Sequence, residues 1–273
     1  MSWQRFRRDL FSLCVTSIYS GSLRLLLPHA LSAINPHEKA YTQNGFIDTV
    51  TPKAMTIQEI KQAIQDFKNA AGNAVAAGFD GVEIHAANGY LFHQFFNNCS
   101  NIRTDKYGGS IENKARILFE TLDALKKVVD LKRVGVRLNP SIHNFMGITL
   151  DEETIPTFEC IFKRLNDYGL AYILLTEPFV PVDDVPFADT EIAKHFRPLI
   201  KGTVIINKGF DNATAIKVLE DGDADLVAFG VPFLTNPDLV KRYETNSELN
   251  KADQQTYYTL GAKGYIDYPE LTV

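Results

Sequence analysis

The stretch that decides the fold is Gly81-Val-Glu-Ile-His85, a short apolar run that follows a predicted amphipathic helix. The helix is predicted to begin at a capping box of Thr56 and Glu59 and to end at Gly78. Its apolar face comprises Ile57, Ile60, Ile64, Phe67, Ala71 and Ala74. A strand directly after such a helix is typical of an α/β unit, in which the helix covers one face of a sheet.

Four further apolar runs alternate with predicted helices toward the C-terminus. The predicted strands are residues 134–138, 172–176, 203–207 and 225–229. Helices are predicted to begin at Ser110 and Asp151 and near residues 190 and 212, and Asn236-Pro237 is predicted to cap the last one. Strands that are apolar on both faces and separated by helices are typical of a parallel sheet. We therefore expect one sheet of consecutive parallel strands.

Two architectures fit this alternation, a doubly wound open sheet and a (β/α)₈ barrel. No predicted strand is followed by the G-x-G-x-x-G fingerprint of dinucleotide-binding open sheets. The predicted strands instead end in polar residues: His85, Arg137, Asn139, Thr176, Glu177, Asn207 and Lys208. In a barrel these ends face one mouth, where active sites are built. The pattern favours the TIM (β/α)₈ barrel.

The front of the chain is short for a complete barrel. Residues 13–18 could form a sixth strand, and no room remains for two further βα units. We expect an incomplete barrel of about the last five or six units, over residues 28–273, after a divergent N-terminal segment, residues 1–27. That segment is rich in Arg, Ser and Leu. We interpret it as a remnant of an early barrel strand, with an organellar targeting sequence as the alternative.

The composition of the chain argues against several classes of function. Apolar residues make up 45% and charged residues 22% of the chain, as in a globular protein with a packed core. The net charge of -5 gives no electrostatic reason to bind nucleic acid or anionic lipid. Cys14, Cys99 and Cys160 lack paired spacing, which predicts reduced thiols and a cytoplasmic location. No apolar run predicts a membrane span, and no residue cluster predicts a metal site.

The densest polar segment begins at His85, with Asn88 three residues on and Tyr90 two beyond that. An imidazole and a carboxamide so placed can both donate hydrogen bonds to one carbonyl oxygen, and a nearby phenol can deliver a proton. Reduction of an activated C=C bond needs this combination, because the donors stabilise enolate charge and the acid protonates the α-carbon. Each residue taken alone also fits a role in packing.

The order of these motifs resembles the old yellow enzyme family, which includes 12-oxophytodienoate-reductase-like proteins. The His85-x-x-Asn88-x-Tyr90 pattern is followed by R-T-D-x-Y-G-G-S-I-E-N over residues 103–113. The similarity continues in residues 135–140, 229–239 and 264–269, and it covers residues 28–273. The resemblance implies a barrel with FMN in its mouth. It further implies that NAD(P)H reduces the flavin, which then reduces the C=C bond of an α,β-unsaturated carbonyl compound.

The resemblance also implies individual roles. His85 and Asn88 would bind the substrate carbonyl oxygen, Tyr90 would donate the proton, and Arg137 would lie near the pyrimidine edge of the flavin. Four residues would lie near the FMN phosphate: Lys208, Gly209, Gly230 and Val231. Tyr257 would contact substrate and Tyr258 the flavin, although both could be ordinary C-terminal packing. We expect a network of Arg103, Asp105 and Glu112 to brace a loop.

The chain departs from the family pattern at three places. Val231 stands where the family has an Arg that binds the FMN phosphate. The charge-assisted hydrogen bond of such an Arg is worth about 1.5–3 kcal/mol. Without it, the affinity for FMN should fall by roughly one to two orders of magnitude. Lys208 replaces a glycine and could partly compensate. Thr16 falls where the family offers a Gln to the flavin. The open barrel edges could also promote self-association.

Two other classes of function remain open at this stage. The chain could be a catalytically inactive truncated paralogue that persists as a fragment or interaction protein, as Val231 and the short front favour. It could also be an aldolase-like barrel enzyme without flavin. The absence of a Schiff-base Lys at the centre of a predicted strand counts against the aldolase.

Overall fold

The computed structural model describes residues 10–13, 29–42, 45–178, 180–257 and 261–271. Its strands are β1 Leu10–Leu13, β2 His29–Ala30, β3 Lys39–Thr42, β4 Gly45–Asp48, β5 Lys53–Ala54, β6 Gly81–Ala86, β7 Val134–Leu138, β8 Tyr172–Thr176, β9 Val204–Asn207 and β10 Leu226–Ala228. Its α-helices are α1 Ile57–Ala76, α2 Leu91–Phe96, α3 Ile111–Leu125, α4 Thr154–Leu165, α5 Ile192–Phe196, α6 Asn212–Glu220, α7 Val231–Thr235 and α8 Leu239–Glu244. Three short 3₁₀ helices lie at Leu131–Arg133, Arg197–Leu199 and Gln254–Thr256.

One parallel sheet organises the molecule, in the order β1-β6-β7-β8-β9-β10. The five predicted strands therefore are consecutive and parallel, as the alternation indicated. Within the described residues the sheet has two free edges, at β1 and β10. The expected α/β fold with an open, incomplete barrel sheet is confirmed.

A sixth strand is present, but it begins earlier than the sequence suggested. It spans Leu10–Leu13 and pairs with β6 so that Leu13 lies opposite Ile84. Of the run expected at residues 13–18, only Leu13 belongs to this strand, and the remainder, with Thr16, lies outside the described residues. The position of this strand is therefore set by its pairing with β6. The local apolar run does not set it.

The two faces of the sheet differ in what covers them. Alternate side chains of β6 and β7 are fully buried beneath the helices: Val82, Ile84, Ala86, Val134, Val136 and Leu138. The opposite face carries Glu83, His85 and Arg137, together with Asn207 from β9. Because successive side chains of a strand alternate between faces, one apolar set packs the core and the other set lines the inner side of the sheet.

The first helix matches its predicted signals with one exception. The Thr56 and Glu59 capping box is present, and the helix ends at Ala76, before Gly78 with φ +92°. Ile57, expected on the apolar face, is 39% exposed. It is the first residue of α1.

Two predicted helix starts were wrong. The third helix begins at Thr154 rather than Asp151, because the Asp151 carboxylate accepts hydrogen bonds from the Glu153 N–H and the Thr154 hydroxyl ahead of it. Asn236 does not cap the last helix; it follows α7, and α8 begins at Leu239. The Asn236 amide donates to the Pro232 carbonyl and accepts from the Asn250 N–H, so it is not available to the next helix.

The Arg103 guanidinium links its own loop to the backbone at Leu31 and Met55. The Arg103 Nη1 donates to the Leu31 and Met55 carbonyls, each at 2.6 Å, and its Nη2 pairs with Asp105 at 2.5 Å. The expected loop brace is therefore present for Arg103 and Asp105. Glu112 is not part of it: its own backbone N–H and the Ser110 hydroxyl hold its carboxylate and lower its pKa.

None of the helices in the described ranges combines the length and the hydropathy of a bilayer-crossing segment.

Candidate active site

Strand register brings two of the candidate residues side by side. In the β6–β7 pair, His85 lies directly opposite Arg137, one position before each strand ends. Glu83 lies opposite Gly135 on the same face, and Gly135 lies opposite Tyr172 in β8. Residues opposite each other in neighbouring strands project to the same face, so His85 and Arg137 form one layer above Glu83 and Tyr172.

His85 is half-buried and neutral at physiological pH. Burial, with a smaller contribution from the Arg137 charge, lowers the pKa of His85 to about 4. Its ring lies 5.1 Å from the Tyr90 ring, centroid to centroid, at a tilt of 55°. The neutral imidazole donates a single hydrogen bond, and the Tyr90 phenol lies in contact beside it.

Asn88 occupies the turn that leaves β6. Its φ of +55° is in the left-handed region, where asparagine is among the few residues tolerated. Its Oδ1 accepts a hydrogen bond of 2.9 Å from the Asn139 Nδ2. The NH₂ end of the Asn88 amide therefore faces away from Asn139 and can donate elsewhere.

Gly89 fixes the turn between Asn88 and Tyr90. Its φ is +77°, and a Cβ on this residue would lie 2.5 Å from the Met146 Cβ, so no other residue fits without displacement. The Gly89 N–H donates to the His93 Nδ1 at 3.0 Å, and the Gly89 carbonyl accepts from the Gln94 Nε2 at 2.7 Å. Both ends of this residue are thus held by the first turn of α2.

His93 supports that turn from within the core. It is fully buried, and burial, with a smaller contribution from His85, lowers its pKa to about 3. Its Nδ1 must be unprotonated to accept from Gly89. The sequence placed Asn139 only among the polar residues at strand ends and gave His93 and Gln94 no role, because their hydrogen bonds depend on contacts that no spacing rule encodes.

Arg137 has one hydrogen-bond donor in need of an acceptor. Its Nη2 donates to the Asn207 Oδ1 at 3.1 Å, whereas its Nε is buried without a partner among the described residues. A buried guanidinium N–H without an acceptor costs free energy. The pyrimidine edge of a flavin carries oxygen and nitrogen acceptors, so this orphaned donor fits such a ring.

The layer below is closed by an acid and a phenol. The Tyr172 hydroxyl donates to the Glu83 Oε2 at 2.9 Å. The Tyr172 ring occupies the space that a side chain at Gly135 would need, since its Cζ overlaps the position of a Cβ there. Burial raises the pKa of both groups. These side chains lie one layer below His85 and Arg137 on the same face of the sheet.

The residues expected near a phosphate follow the last two strands. Lys208 and Gly209 come directly after β9, with φ of +93° and +80°. Gly230 and Val231 begin α7 after β10, and a Cβ at Gly209 or Gly230 would meet no atom within 4 Å. Lys208 and Gly209 also line a cleft of about 730 Å³ beside α5 and α6, whereas Val231 is 43% exposed.

The aromatic pair is described for one member only. Tyr257 follows the last 3₁₀ helix, and its hydrogen bonds lie within the C-terminal segment: its N–H donates to the Gln254 carbonyl, and its carbonyl accepts from the Tyr265 hydroxyl. Tyr258 lies outside the described residues.

Comparison with known proteins shows which sequences this chain is similar to. The model of the NADH:flavin oxidoreductase / NADH oxidase family matches residues 27–250. The chain is 43% identical over 222 residues to putative 12-oxophytodienoate reductase 5 of Oryza sativa subsp. japonica, covering 81% of this chain and 59% of the relative. It is 40% identical over 260 residues to a probable flavin mononucleotide-dependent alkene reductase of Leishmania infantum, covering 93% and 68%.

Solved structures share the fold of this chain. Morphinone reductase in complex with tetrahydroNAD superposes with a TM-score of 0.80 at 38% identity, over 90% of this chain and 67% of that one. An old yellow enzyme homologue from Zymomonas mobilis gives a TM-score of 0.83 at 34% identity, over 90% and 69%. The chain belongs to the NADH:flavin oxidoreductase / NADH oxidase family.

Membership of this family confirms the resemblance found in the motifs. The chain spans 59%, 63% and 58% of the length of three rice relatives of the 12-oxophytodienoate reductase type. The matched region contains His85, Arg137 and Lys208.

The electrostatic coupling of His85 to Arg137 can be measured by NMR titration of the imidazole. The midpoint for His85 is expected near pH 4, because burial and the adjacent cation disfavour the imidazolium. Arg137→Met removes the cation and should raise the midpoint, while leaving it below about 6.5, the ordinary value, because burial persists.

Lys163→Met is the matched control, since it removes an exposed cation on α4. It should leave the midpoint unchanged. An equal midpoint in wild type and Arg137→Met would contradict the coupling.

Proposed function

We propose that this chain binds FMN and uses NAD(P)H to reduce the C=C bond of α,β-unsaturated carbonyl compounds. The observation that carries the proposal is the grouping of a neutral imidazole, a carboxamide with its NH₂ end available and a phenol around one strand end. Family membership supports the cofactor, and similarity to the probable alkene reductase of Leishmania infantum supports the reaction class.

The orphaned Arg137 Nε supports the fit of a flavin. In the proposal, Arg137 faces the pyrimidine edge, and backbone N–H groups at Gly209 and Gly230 approach the phosphate. Bound FMN would supply the hydride for the substrate β-carbon, after receiving one from NAD(P)H. Tyr258 would flank the flavin and Tyr257 the substrate.

His85 and Asn88 both donate to the substrate carbonyl oxygen in this proposal. As the β-carbon accepts hydride, negative charge develops on that oxygen, and two fixed donors stabilise it more than they stabilise the neutral ketone.

Tyr90 is the proposed proton donor to the α-carbon. With the pKa of His85 near 4, only about one imidazole in a thousand is protonated at neutral pH. His85 is therefore a poor source of the proton, and the phenol in contact with its ring is the remaining acid of the group.

Tyr90→Phe tests the proposed function. Reduction of 2-cyclohexenone should fall by about 10²- to 10⁴-fold, because a positioned general acid is lost. Flavin reduction by NADPH, measured separately by stopped-flow absorbance, should be unchanged, since it needs no proton from Tyr90.

Tyr168→Phe is the control, because Tyr168 stacks on Phe119 away from the strand ends. Equal loss in both half-reactions would contradict the assigned role. Absence of any flavin binding would favour the inactive paralogue instead.

Val231 is the proposed weak point of FMN binding. A flavin fluorescence titration should show binding tightened by about 10- to 100-fold in Val231→Arg, because a guanidinium there could bond the phosphate. Val240→Arg places the same charge at another partly exposed valine, on α8, and should change little. Tight wild-type binding that Val231→Arg leaves unchanged would mean that Lys208 or another group supplies the phosphate charge.

The free edges at β1 and β10 support a further proposal, that copies of the chain self-associate through them. Leu226 in β10 is 42% exposed, so part of this edge is apolar. Sedimentation velocity should show a species larger than one chain that grows with concentration. A single monomeric boundary at all concentrations would contradict self-association.

A cytoplasmic location is also proposed. Its support is that Cys99 and Cys160 are both free thiols in the described chain. Imaging of a C-terminal fluorescent fusion distinguishes it from organellar targeting by the Arg-rich N-terminal segment.

A further inference from the structure

The amide of Asn88 can serve the proposed reaction in one orientation only. Its NH₂ end donates to a carbonyl oxygen, whereas its own oxygen would repel the charge that develops there. A half-turn about the last side-chain bond exchanges the two ends at little steric cost. Some other group must therefore set which end faces the substrate.

Asn139 is the group that contacts the other end of this amide. It directly follows β7, is fully buried, and donates from Nδ2 to the Asn88 Oδ1 at 2.9 Å. Its own Oδ1 accepts from the Ser141 N–H at 3.2 Å. Asn139 thus stands between the backbone and Asn88.

The backbone end of this chain of hydrogen bonds cannot reverse. A peptide N–H only donates, so the end of Asn139 that meets Ser141 must be the oxygen, and its NH₂ end must point to Asn88. The Ser141 hydroxyl in turn donates to the Asp189 carbonyl at 2.7 Å, which anchors this residue to the loop before α5. The direction of donation runs from Ser141 through Asn139 to Asn88.

We propose that Asn139 is a positioning residue that orients the Asn88 amide with its NH₂ end toward the substrate oxygen. The proposal rests on the proposed function, in which Asn88 binds a carbonyl oxygen. The same hydrogen bond also removes the alternative orientation of Asn88 before substrate arrives, so this ordering does not have to occur during binding.

Asn139→Asp reverses the direction of the last hydrogen bond in this series, the one between residue 139 and Asn88. The carboxylate has nearly the shape of the amide and still accepts from Ser141, but its second oxygen can only accept. Asn88 should then turn its NH₂ end to the introduced carboxylate and its oxygen to the substrate. Asn139→Leu keeps the approximate volume without donor or acceptor, and it leaves Asn88 without an imposed orientation or an added charge.

The first measurement needs no ligand. Hydrogen exchange of the assigned Asn88 side-chain NH₂, followed by NMR, should be slower in Asn139→Asp than in wild type, because the carboxylate engages these protons. In Asn139→Leu the exchange should stay as fast as in wild type. Equal exchange in wild type and Asn139→Asp would overturn the proposal.

The second measurement uses 2-cyclohexenone as the probe on the FMN-loaded chain. Its dissociation constant should rise by about 10- to 100-fold in Asn139→Asp and by a smaller factor in Asn139→Leu, while flavin reduction by NADPH stays unchanged. Asn101→Asp is the matched control, since Asn101 is also buried and bonds only the Phe95 and Tyr107 carbonyls through its NH₂. It should leave both Asn88 exchange and probe binding unchanged.

The two measurements separate the possible failures. If wild type does not bind the probe while Asn139→Asp slows exchange, the proposed function fails and the orientation of Asn88 by Asn139 stands. If wild type reduces the probe and Asn139→Asp binds it equally well, the positioning role is wrong. If Asn139→Asp does not fold, Asn139→Leu decides the question. The positioning role is then wrong if Asn139→Leu binds the probe as tightly as wild type does.

Discussion

The parallel pairing of β6 with β7 is the interaction on which the rest of the structure depends. Its register sets His85 opposite Arg137 on the inner face and places Val82, Ile84, Val134 and Val136 under the helices. A shift of one residue would exchange the two faces, exposing the apolar set and burying an arginine. Core packing therefore fixes the position of the polar residues as firmly as it fixes the fold.

Two residues of the turn after β6 are held by hydrogen bonds to side chains behind them. Gly89 is held by His93 and Gln94, and Asn88 is held by Asn139. The low pKa of His85 has the same origin, since its burial and its cationic neighbour both follow from the register. In the proposed reaction, His85 binds the carbonyl oxygen and Tyr90 donates the proton, although the centroids of their rings lie only 5.1 Å apart.

Local patterns in the sequence predicted the frame of this molecule well. The apolar runs of the five predicted strands and the capping box at Thr56 depend on near neighbours, and they lie where expected. The patterns failed where distant contacts decide: β1 is positioned by β6, and the Asn236 amide is used by Pro232 and Asn250. The supporting roles of His93 and Asn139 arise only in the folded chain. Family resemblance singled out His85, Asn88 and Tyr90 as candidate catalytic residues. Spacing alone left each of them open to a packing role.

We propose that this six-stranded open sheet binds FMN with the flavin against Arg137. The most direct measurement is the visible absorbance of the protein compartment after equilibrium dialysis against FMN, which detects weak binding as well as tight binding. We expect the spectrum of bound oxidised flavin with the wild-type protein and its loss with Arg137→Met, which lacks the orphaned donor and the cation. Flavin bound equally by both proteins, or by neither, would contradict the proposal.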